Sequence, residues 1–213
     1  GAVLWVLVFR SGIHATIATI EPAGFVNSLA QLALKMTLPG VPDIYQGTEL
    51  PDHSMVDPDN RRPVDFELRQ KLLPELRAMS AQDVMKRWRD GLPKFWLMLR
   101  LLDLRRRSPG LFAEGTYEPL DIEGDGAAHV IAFARRSAEE WVMVAVPRLA
   151  LSLTSPDRPA LIAPSVMDGT FLQLPVGADR FLTLDGSMIE APDGRVALSE
   201  LWSALPVAVL EAV

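Results

Sequence analysis

Apolar residues in this chain change their spacing once, and the change divides what the chain can fold into. Phe25, Val26, Leu29, Leu32, Ala33 and Met36 recur at helical intervals and stop at Leu38-Pro39-Gly40. A helix from Phe66 to Met79 follows, with Pro74 as a break or kink. Ser80-Ala81-Gln82-Asp83 reads as a capping box opening a short helix through Arg89 that Gly91 ends. Leu92, Phe95, Trp96, Leu99 and Leu102 then form one stripe of a helix closing on Arg105, Arg106 and Arg107, before Ser108-Pro109-Gly110. From Gly115 the pattern is different. TYEPLDI, AAHVIAFARR and EWVMVAVPR are short strand-like runs separated by Glu-Gly-Asp-Gly and Ser-Ala-Glu-Glu turns, and FLQLPV, RFLTL, SMIEA and LPVAVLE continue in the same manner. Helices first and short strands afterwards predict an antiparallel β-sandwich as a second domain, with the boundary near residue 110.

The chemistry open to the chain is bounded by what it contains. Its 213 residues, 49% of them apolar, suffice for one large core or two modest ones. A net charge of -6 argues against nucleic acid and against an anionic membrane as partners. The arginine triplet at 105 to 107 is read as cations at the negative end of a helix. Without cysteine there is no disulfide, thiolate metal site or cysteine nucleophile, and His14, His53 and His129 lie far apart, so no metal or organic cofactor is indicated. The opening AVLWVLVF is too short to span a bilayer and has no basic segment before it, so a buried strand or helix segment is expected there, belonging to a protein that extends upstream. A cytoplasmic protein is the expectation.

Two stretches carry polar residues in a constrained setting. VPDIYQGTEL, after the Pro-Gly turn, reads as a short strand with a polar loop, completing the helix, turn and strand of an α/β unit. Such folds gather sites at the carboxyl ends of their strands, which makes Asp43, Tyr45, Gln46 and Glu49 candidates by position. VDPDNRRPVDF, residues 56 to 66, interleaves Asp57, Asp59, Arg61, Arg62 and Asp65 with Pro58 and Pro63. A solvated loop needs polarity, but it does not need opposite charges on a backbone that prolines stiffen.

PGVPDIYQGTEL followed by VDPDNRRPVDFELRQKLL resembles the last barrel strand and following loop of the malto-oligosyltrehalose synthase family, in the α-amylase superfamily, and LPKFWLMLRLLDLRRRSPGLFAEGTYEPL and the terminal LPVAVL are similar to the end of those enzymes. The first run alone indicates an amylase-type barrel, whereas VDPDNRRPVD is specific to the synthases. The resemblance implies an α+β composite. Residues 1–64 would be the C-terminal end of a (β/α)8 TIM barrel with its last strand about 41–46, residues 65–110 a helical segment packing on it, and 111–213 the β-sandwich. It implies a malto-oligosaccharide substrate, an upstream barrel portion of the same polypeptide as partner, and retaining intramolecular transglucosylation of the reducing-end α-1,4 bond to an α,α-1,1 bond. The family's nucleophile, acid/base and third carboxylate match no position here, so the chain alone is expected to be inactive. Residues assigned to the substrate are Asp57, Asn60, Arg61, Arg62 and Asp65 of the loop, with Tyr45 and Glu49.

Each assignment has a plainer counterpart. The loop charges could form a network supporting the pocket, which is placed ahead of direct contact with sugar hydroxyls by at least one of Asp57, Asn60, Arg61 or Asp65. Glu49 is read mainly as a structural residue beside the site, and Tyr45 equally as a stacking face or as packing. Lys94 matches a family position, but a solvated or ion-paired lysine is the favoured reading, as is an exposed loop histidine for His53. The alternative function is a non-catalytic carbohydrate-binding or structural sandwich module. A severed barrel would expose apolar surface from Ala2 to Phe9 and from Phe25 to Met36, whereas a self-contained module would bury its edges. An isolated hydrolase is weaker, because no sequence argument brings two of Asp43, Glu49, Asp57 and Asp59 to the separation of a retaining pair.

Overall fold

A computed structural model describes residues 13–51, 63–138, 140–155, 158–175 and 179–213. Helix α1 (Ile13–Thr37) is followed by α2 (Phe66–Ala78), α3 (Ala81–Lys86), α4 (Leu92–Arg107) and α5 (Pro109–Glu114). The strands are β1 (Thr116–Pro119), β2 (Ile122–Glu123), β3 (Val130–Arg136), β4 (Trp141–Pro147), β5 (Thr154–Ser155), β6 (Arg158–Ile162), β7 (Phe171–Gln173), β8 (Arg180–Thr183), β9 (Met188–Glu190), β10 (Arg195–Ala197) and β11 (Ala208–Ala212), with the single turn α6 (Leu198–Leu201) before the last.

Helix boundaries follow the local chemistry of the sequence. The Asp65 carboxylate accepts from Leu68 N at 2.8 Å and opens α2, which continues through Pro74. Ser80 Oγ accepts from Asp83 N at 3.1 Å and donates to Asp83 Oδ2 at 2.8 Å. The aspartate, shorter than the glutamate of a full capping box, thus takes the serine hydroxyl. A 3-10 turn at Trp88–Asp90 ends on Gly91, whose φ of 76° is the left-handed conformation that lets the chain leave one helix and enter the next. Helix α4 is buried more widely than a single stripe predicts, since α1, α2 and α3 all pack on it. Leu101 and Leu104 are therefore buried, while Leu102 faces solvent at 43% exposure.

All strand pairings are antiparallel, in a six-stranded sheet of order β1-β3-β4-β11-β8-β9, a three-stranded sheet β10-β7-β2 and the pair β5-β6. The central strands β3, β4 and β11 of the large sheet are buried on both faces. Phe133, Val142, Val144, Val146, Val207 and Val209 join the core of α1, α2, α3 and α4, whereas Ala132, Ala134, Met143, Ala145, Ala208 and Leu210 share a second core with Leu172 and Val196 of the small sheet. A strand covered on both sides has no polar face to display, which is why β4 reads as the unbroken run WVMVAVP.

One expectation needs correction. The run from Phe25 to Met36 is not an exposed apolar face: Val26, Leu29, Leu32, Ala33 and Met36 are buried under α4, β4 and the turn at Ala150. The expected last barrel strand at 41–46 has no ladder partner among the described residues. Residues 41–45 have no regular secondary structure and Gln46 begins a turn, with Val41 95% exposed. The expected apolar element at Ala2 to Phe9 lies outside the described residues.

The two halves meet at a buried cation. Arg135, on the helix-facing side of β3 two residues beyond Phe133, is 1% exposed. Its guanidinium donates to Thr116 O at 2.9 Å, Thr37 O at 3.0 Å, Gly115 O at 2.8 Å, Leu111 O at 3.2 Å and, more weakly, Phe112 O at 3.4 Å. Arg105 adds a bond to Met36 O at 2.8 Å while its guanidinium lies 4.6 Å from the centre of the Phe112 ring. The last carbonyls of a helix have no partner within it, and these two arginines supply partners for α1 and α5. Burial pushes both guanidinium groups below the usual arginine range, and the charge of Arg105 adds to the effect on Arg135. Gly115 has no side chain for a steric reason, since a Cβ there would strike the Leu111 carbonyl.

Removing the guanidinium while keeping apolar volume strands several buried acceptors at once. Arg135→Met is expected to lower the unfolding free energy by about 3–5 kcal/mol, measured by chemical denaturation. Arg106→Ala, at an exposed position on α4, should change it by less than about 0.5 kcal/mol. A loss below about 1 kcal/mol for Arg135→Met would mean that water takes over the carbonyls.

Candidate functional site

The polar loop after residues 41–45 is built on the end of α1. Thr37 Oγ1 donates to Ala33 O at 2.6 Å, Leu38 N closes on Leu34 O, and Gly40 turns the chain with φ 125°. A tight turn follows in which both the Thr48 backbone and its hydroxyl donate to Tyr45 O, at 3.2 and 2.6 Å. Leu50 then packs on the main core, and Pro51 lies against Gly91 at the entrance to α4.

The side chain that organises this loop is Arg69, on the first turn of α2. Its Nε pairs with Glu49 Oε2 at 2.8 Å, its Nη2 donates to Gly47 O at 2.6 Å and its Nη1 to Asp65 O at 2.9 Å. Glu49 is thus engaged in a partly buried ion pair, with Glu49 and Arg69 side chains 22% and 15% exposed. The structural reading of Glu49 is the one the geometry supports. Asp65 likewise serves as the N-cap of α2. Tyr45 is 54% exposed and lines a shallow depression of about 260 Å³ with Ser28, Gln31, Lys35, Thr48 and Lys94. An aromatic face beside hydroxyl, amide and ammonium groups is a surface on which a sugar ring can stack and hydrogen-bond. Asp43 and Gln46 are exposed on the same loop.

The structure therefore brings together Tyr45, Glu49 and Asp65 of the sequence-assigned residues, the last two through Arg69. Asp57, Asn60, Arg61 and Arg62, with His53 and Asp59, lie outside the described residues. Arg69 was not singled out by sequence, and the only local signal for it is its place four residues after an N-cap aspartate; its partners Gly47 and Glu49 lie some twenty residues away. Among the described residues no group of three or more His, Asp or Glu side chains is placed to hold a metal ion. No helix among them is long and apolar enough to cross a membrane.

A larger cavity, about 400 Å³, opens between the start of α3, the β8–β9 turn and the segment leading into β11. Trp96, Leu205 and Val207 line it beneath the polar Ser80, Asp185 and Glu200. Asp185 accepts from Thr183 Oγ1 at 2.6 Å, from Ser187 N at 3.4 Å and, across the cavity, from Ala81 N at 3.4 Å. Burial alone would raise its pKa. The bonds from Thr183, Ala81 and Ser187 outweigh burial and hold the carboxyl below the usual aspartate range. With these donors satisfied, Asp185 joins the helices to the sheet as a structural group.

No protein-family model matches this chain. It is 36% identical over 205 residues to proteins of two Mycobacterium tuberculosis strains described as "Putative maltooligosyl trehalose synthase", a match covering 94% of this chain and 22% of theirs. The solved maltooligosyltrehalose synthase of Arthrobacter ramosus is 32% identical, with a TM-score of 0.74 over 96% of this chain and 24% of that one. The chain is homologous to a part of the maltooligosyltrehalose synthases. It spans about a quarter of the length of these synthases, and a C-terminal portion fits the match. An Anoxybacillus α-amylase, 19% identical with a TM-score of 0.52, shares the fold over 88% of the chain.

The two carboxylates at helix starts give separate tests. Asp65→Ala should cost about 1 kcal/mol of unfolding free energy through the lost cap, read from the denaturation midpoint. For Asp185 the sign follows from its lowered pKa. Its contribution is fully present above the unfolded value of 3.8 and disappears as pH falls through the lower folded value. Asp185→Asn is therefore expected to melt lower than the unsubstituted chain at pH 6, with the difference shrinking as the pH is taken below about 4. A pH-independent difference would place the effect in packing.

Proposed function

We propose that this chain is the C-terminal part of a maltooligosyltrehalose synthase and that it completes the sugar site of that enzyme without supplying the reacting carboxylates. The observation that carries this reading is a match along 94% of the chain to proteins of which it makes up 22%. In this reading residues 1–64 are the end of a (β/α)8 barrel with its last strand at about 41–46, residues 65–110 pack on the barrel and 111–213 form a β-sandwich. A barrel strand takes its ladder from neighbouring strands, and residues 41–46 have no such partner among the described residues.

The reaction assigned to the parent polypeptide is the isomerisation of the reducing-end α-1,4 bond of a malto-oligosaccharide to an α,α-1,1 bond. A general acid protonates the O4 leaving group as a carboxylate attacks the anomeric carbon, giving a covalent glycosyl-enzyme. The released glucose turns over, and its anomeric hydroxyl, deprotonated by the same acid/base, attacks that carbon and frees the nucleophile. A retaining pair requires two carboxyl groups roughly 5–5.5 Å apart. Glu49 is committed to Arg69 and Asp65 to the start of α2, so neither is offered for this chemistry. The contribution of this chain in this reading is a set of substrate-binding residues, Tyr45 together with Asp57, Asn60, Arg61 and Arg62. Exclusion of water while the glucose turns over is the second requirement, since water at the glycosyl-enzyme would give hydrolysis instead of transfer.

Trehalose-unit formation from maltopentaose tests the proposal, with this chain alone and mixed with the upstream part of its parent polypeptide. Activity is expected only in the mixture. Activity from the chain alone would overturn the reading and return attention to the acidic residues between Asp43 and Asp65. Binding of maltopentaose by the chain, with no conversion in the mixture, would favour a carbohydrate-binding module.

A further inference from the structure

We propose that the cavity of about 400 Å³ between α3, the β8–β9 turn and the segment leading into β11 is a binding site for a neutral glucosyl unit. The choice of glucose among neutral sugars rests on the synthase reading above, and the geometry itself points to a small polyhydroxylated ring. Both halves of the chain build the cavity, Gln82 and Trp96 from the helical part and Asp185, Ile189, Leu205 and Val207 from the sheet part. Sites for small molecules favour such junctions, and the volume lies within their range of roughly 300–1,000 Å³.

The cavity has an apolar floor and a polar rim. Trp96, Ile189, Leu205 and Val207 are buried, whereas Gln82, Asp185, Ser187, Glu200 and Ser203 are exposed. Its frame is fixed, because Trp96 Nε1 donates to Met79 O at 3.0 Å and Asp185 ties the β8–β9 turn to Ala81 N at 3.4 Å. The rim is uncommitted: among the described residues, the side chains of Gln82, Ser187, Glu200 and Ser203 have no hydrogen-bond or ion-pair partner. This composition selects the ligand. Among the described residues no Lys, Arg or His lines the cavity, so an anion would face Asp185 and Glu200 without a counter-charge. A cation would find one unengaged carboxylate, Glu200, at an exposed rim where a single charge is heavily screened. A wholly apolar ligand would cover amide, hydroxyl and carboxylate groups and bond none of them. A pyranose ring suits both surfaces: its C–H faces pack on the floor, and its hydroxyls donate to Glu200 and exchange bonds with Gln82, Ser187 and Ser203.

The test is alkylation of the intact polypeptide carrying Ser203→Cys at the rim, with maltose as the probe. The rate at which iodoacetamide modifies the introduced thiol is read by mass spectrometry of the peptide that contains it. Saturating maltose is expected to slow modification about fivefold or more. Glu200→Ala in the same background should raise the half-protecting maltose concentration about tenfold, through the loss of a hydrogen bond to a charged group. Gln82→Cys on α3 serves as the reporter if Ser203→Cys lowers the melting temperature. No slowing at either reporter overturns the proposal, as does equal protection by inorganic phosphate. Protection that Glu200→Ala leaves unchanged overturns it too, and its loss with Tyr45→Ala instead would place the sugar in the depression beside Tyr45. The unsubstituted polypeptide is assayed in parallel for trehalose-unit formation from maltopentaose. Protection without trehalose formation means that the synthase reading fails and the sugar site stands; trehalose formation without protection means that the site fails and the synthase reading stands.

Discussion

The guanidinium of Arg135 is where the helical and sheet parts of the chain are joined, and most of the architecture can be traced from it. A cation taken out of water costs several kcal/mol unless its donors are all engaged, and here they face carbonyls, not a carboxylate. Those carbonyls belong to the end of α1, the end of α5 and the start of β1, groups that helix geometry leaves without partners. The unfavourable burial of the charge and the unfavourable burial of helix ends offset each other. Arg105 extends the arrangement to Met36, so the carboxyl end of α1 receives two positive charges where its dipole is negative. The orientation of α1 on the sheet follows, and with it the direction in which the chain leaves toward Val41 and Tyr45.

A sheet buried on both faces transmits that placement. Helix-facing valines of β4 and β11 and the small-sheet-facing Ala145, Ala208 and Leu210 alternate on the same strands, so neither core can shift without moving the other. Small side chains on the second face let the three-stranded sheet approach closely, and Trp202 fills the remaining space while donating to Ala145 O at 3.3 Å. The segment from 150 to 200, whose sequence reads only as short strands among prolines and glycines, supplies half of the buried residues of this second core.

What was legible in the sequence is what local chemistry decides. The end of α1 at Pro39-Gly40, the serine cap at Ser80, the left-handed Gly91 and the onset of strands after Gly115 all depend on residues within a few positions of one another. Failures occur where a partner distant in sequence decides the outcome. Phe25 to Met36 is covered by α4 and β4, which no helical period reveals, and α4 has neighbours on enough sides that its apolar stripe widens to Leu101 and Leu104 and leaves Leu102 outside. The strand expected at 41–46 has no ladder partner among the described residues, since a ladder is a property of pairs. Arg135 did leave a trace: it falls on the same parity as Phe133 in an apolar run, an inward position where a charge must have partners. The candidate site was legible by residue type at Tyr45, Glu49 and Asp65, whereas the arginine that joins the last two was not.

Under the proposed function the same division bears on how a transferase site is assembled. Residues that react must meet at one point, and residues that hold the substrate can come from any segment that reaches the pocket. Under the proposed function this chain has the second character, and Asp65 and Glu49 are spent on a helix cap and an ion pair. Both devices stiffen backbone, and stiff backbone is what a polar loop needs if its hydrogen bonds to sugar are to offset the entropy of ordering both partners. Arg69, bound to Gly47 O, the Glu49 carboxylate and Asp65 O, fixes these residues against one another in the folded chain, so the cost of ordering them is met in folding.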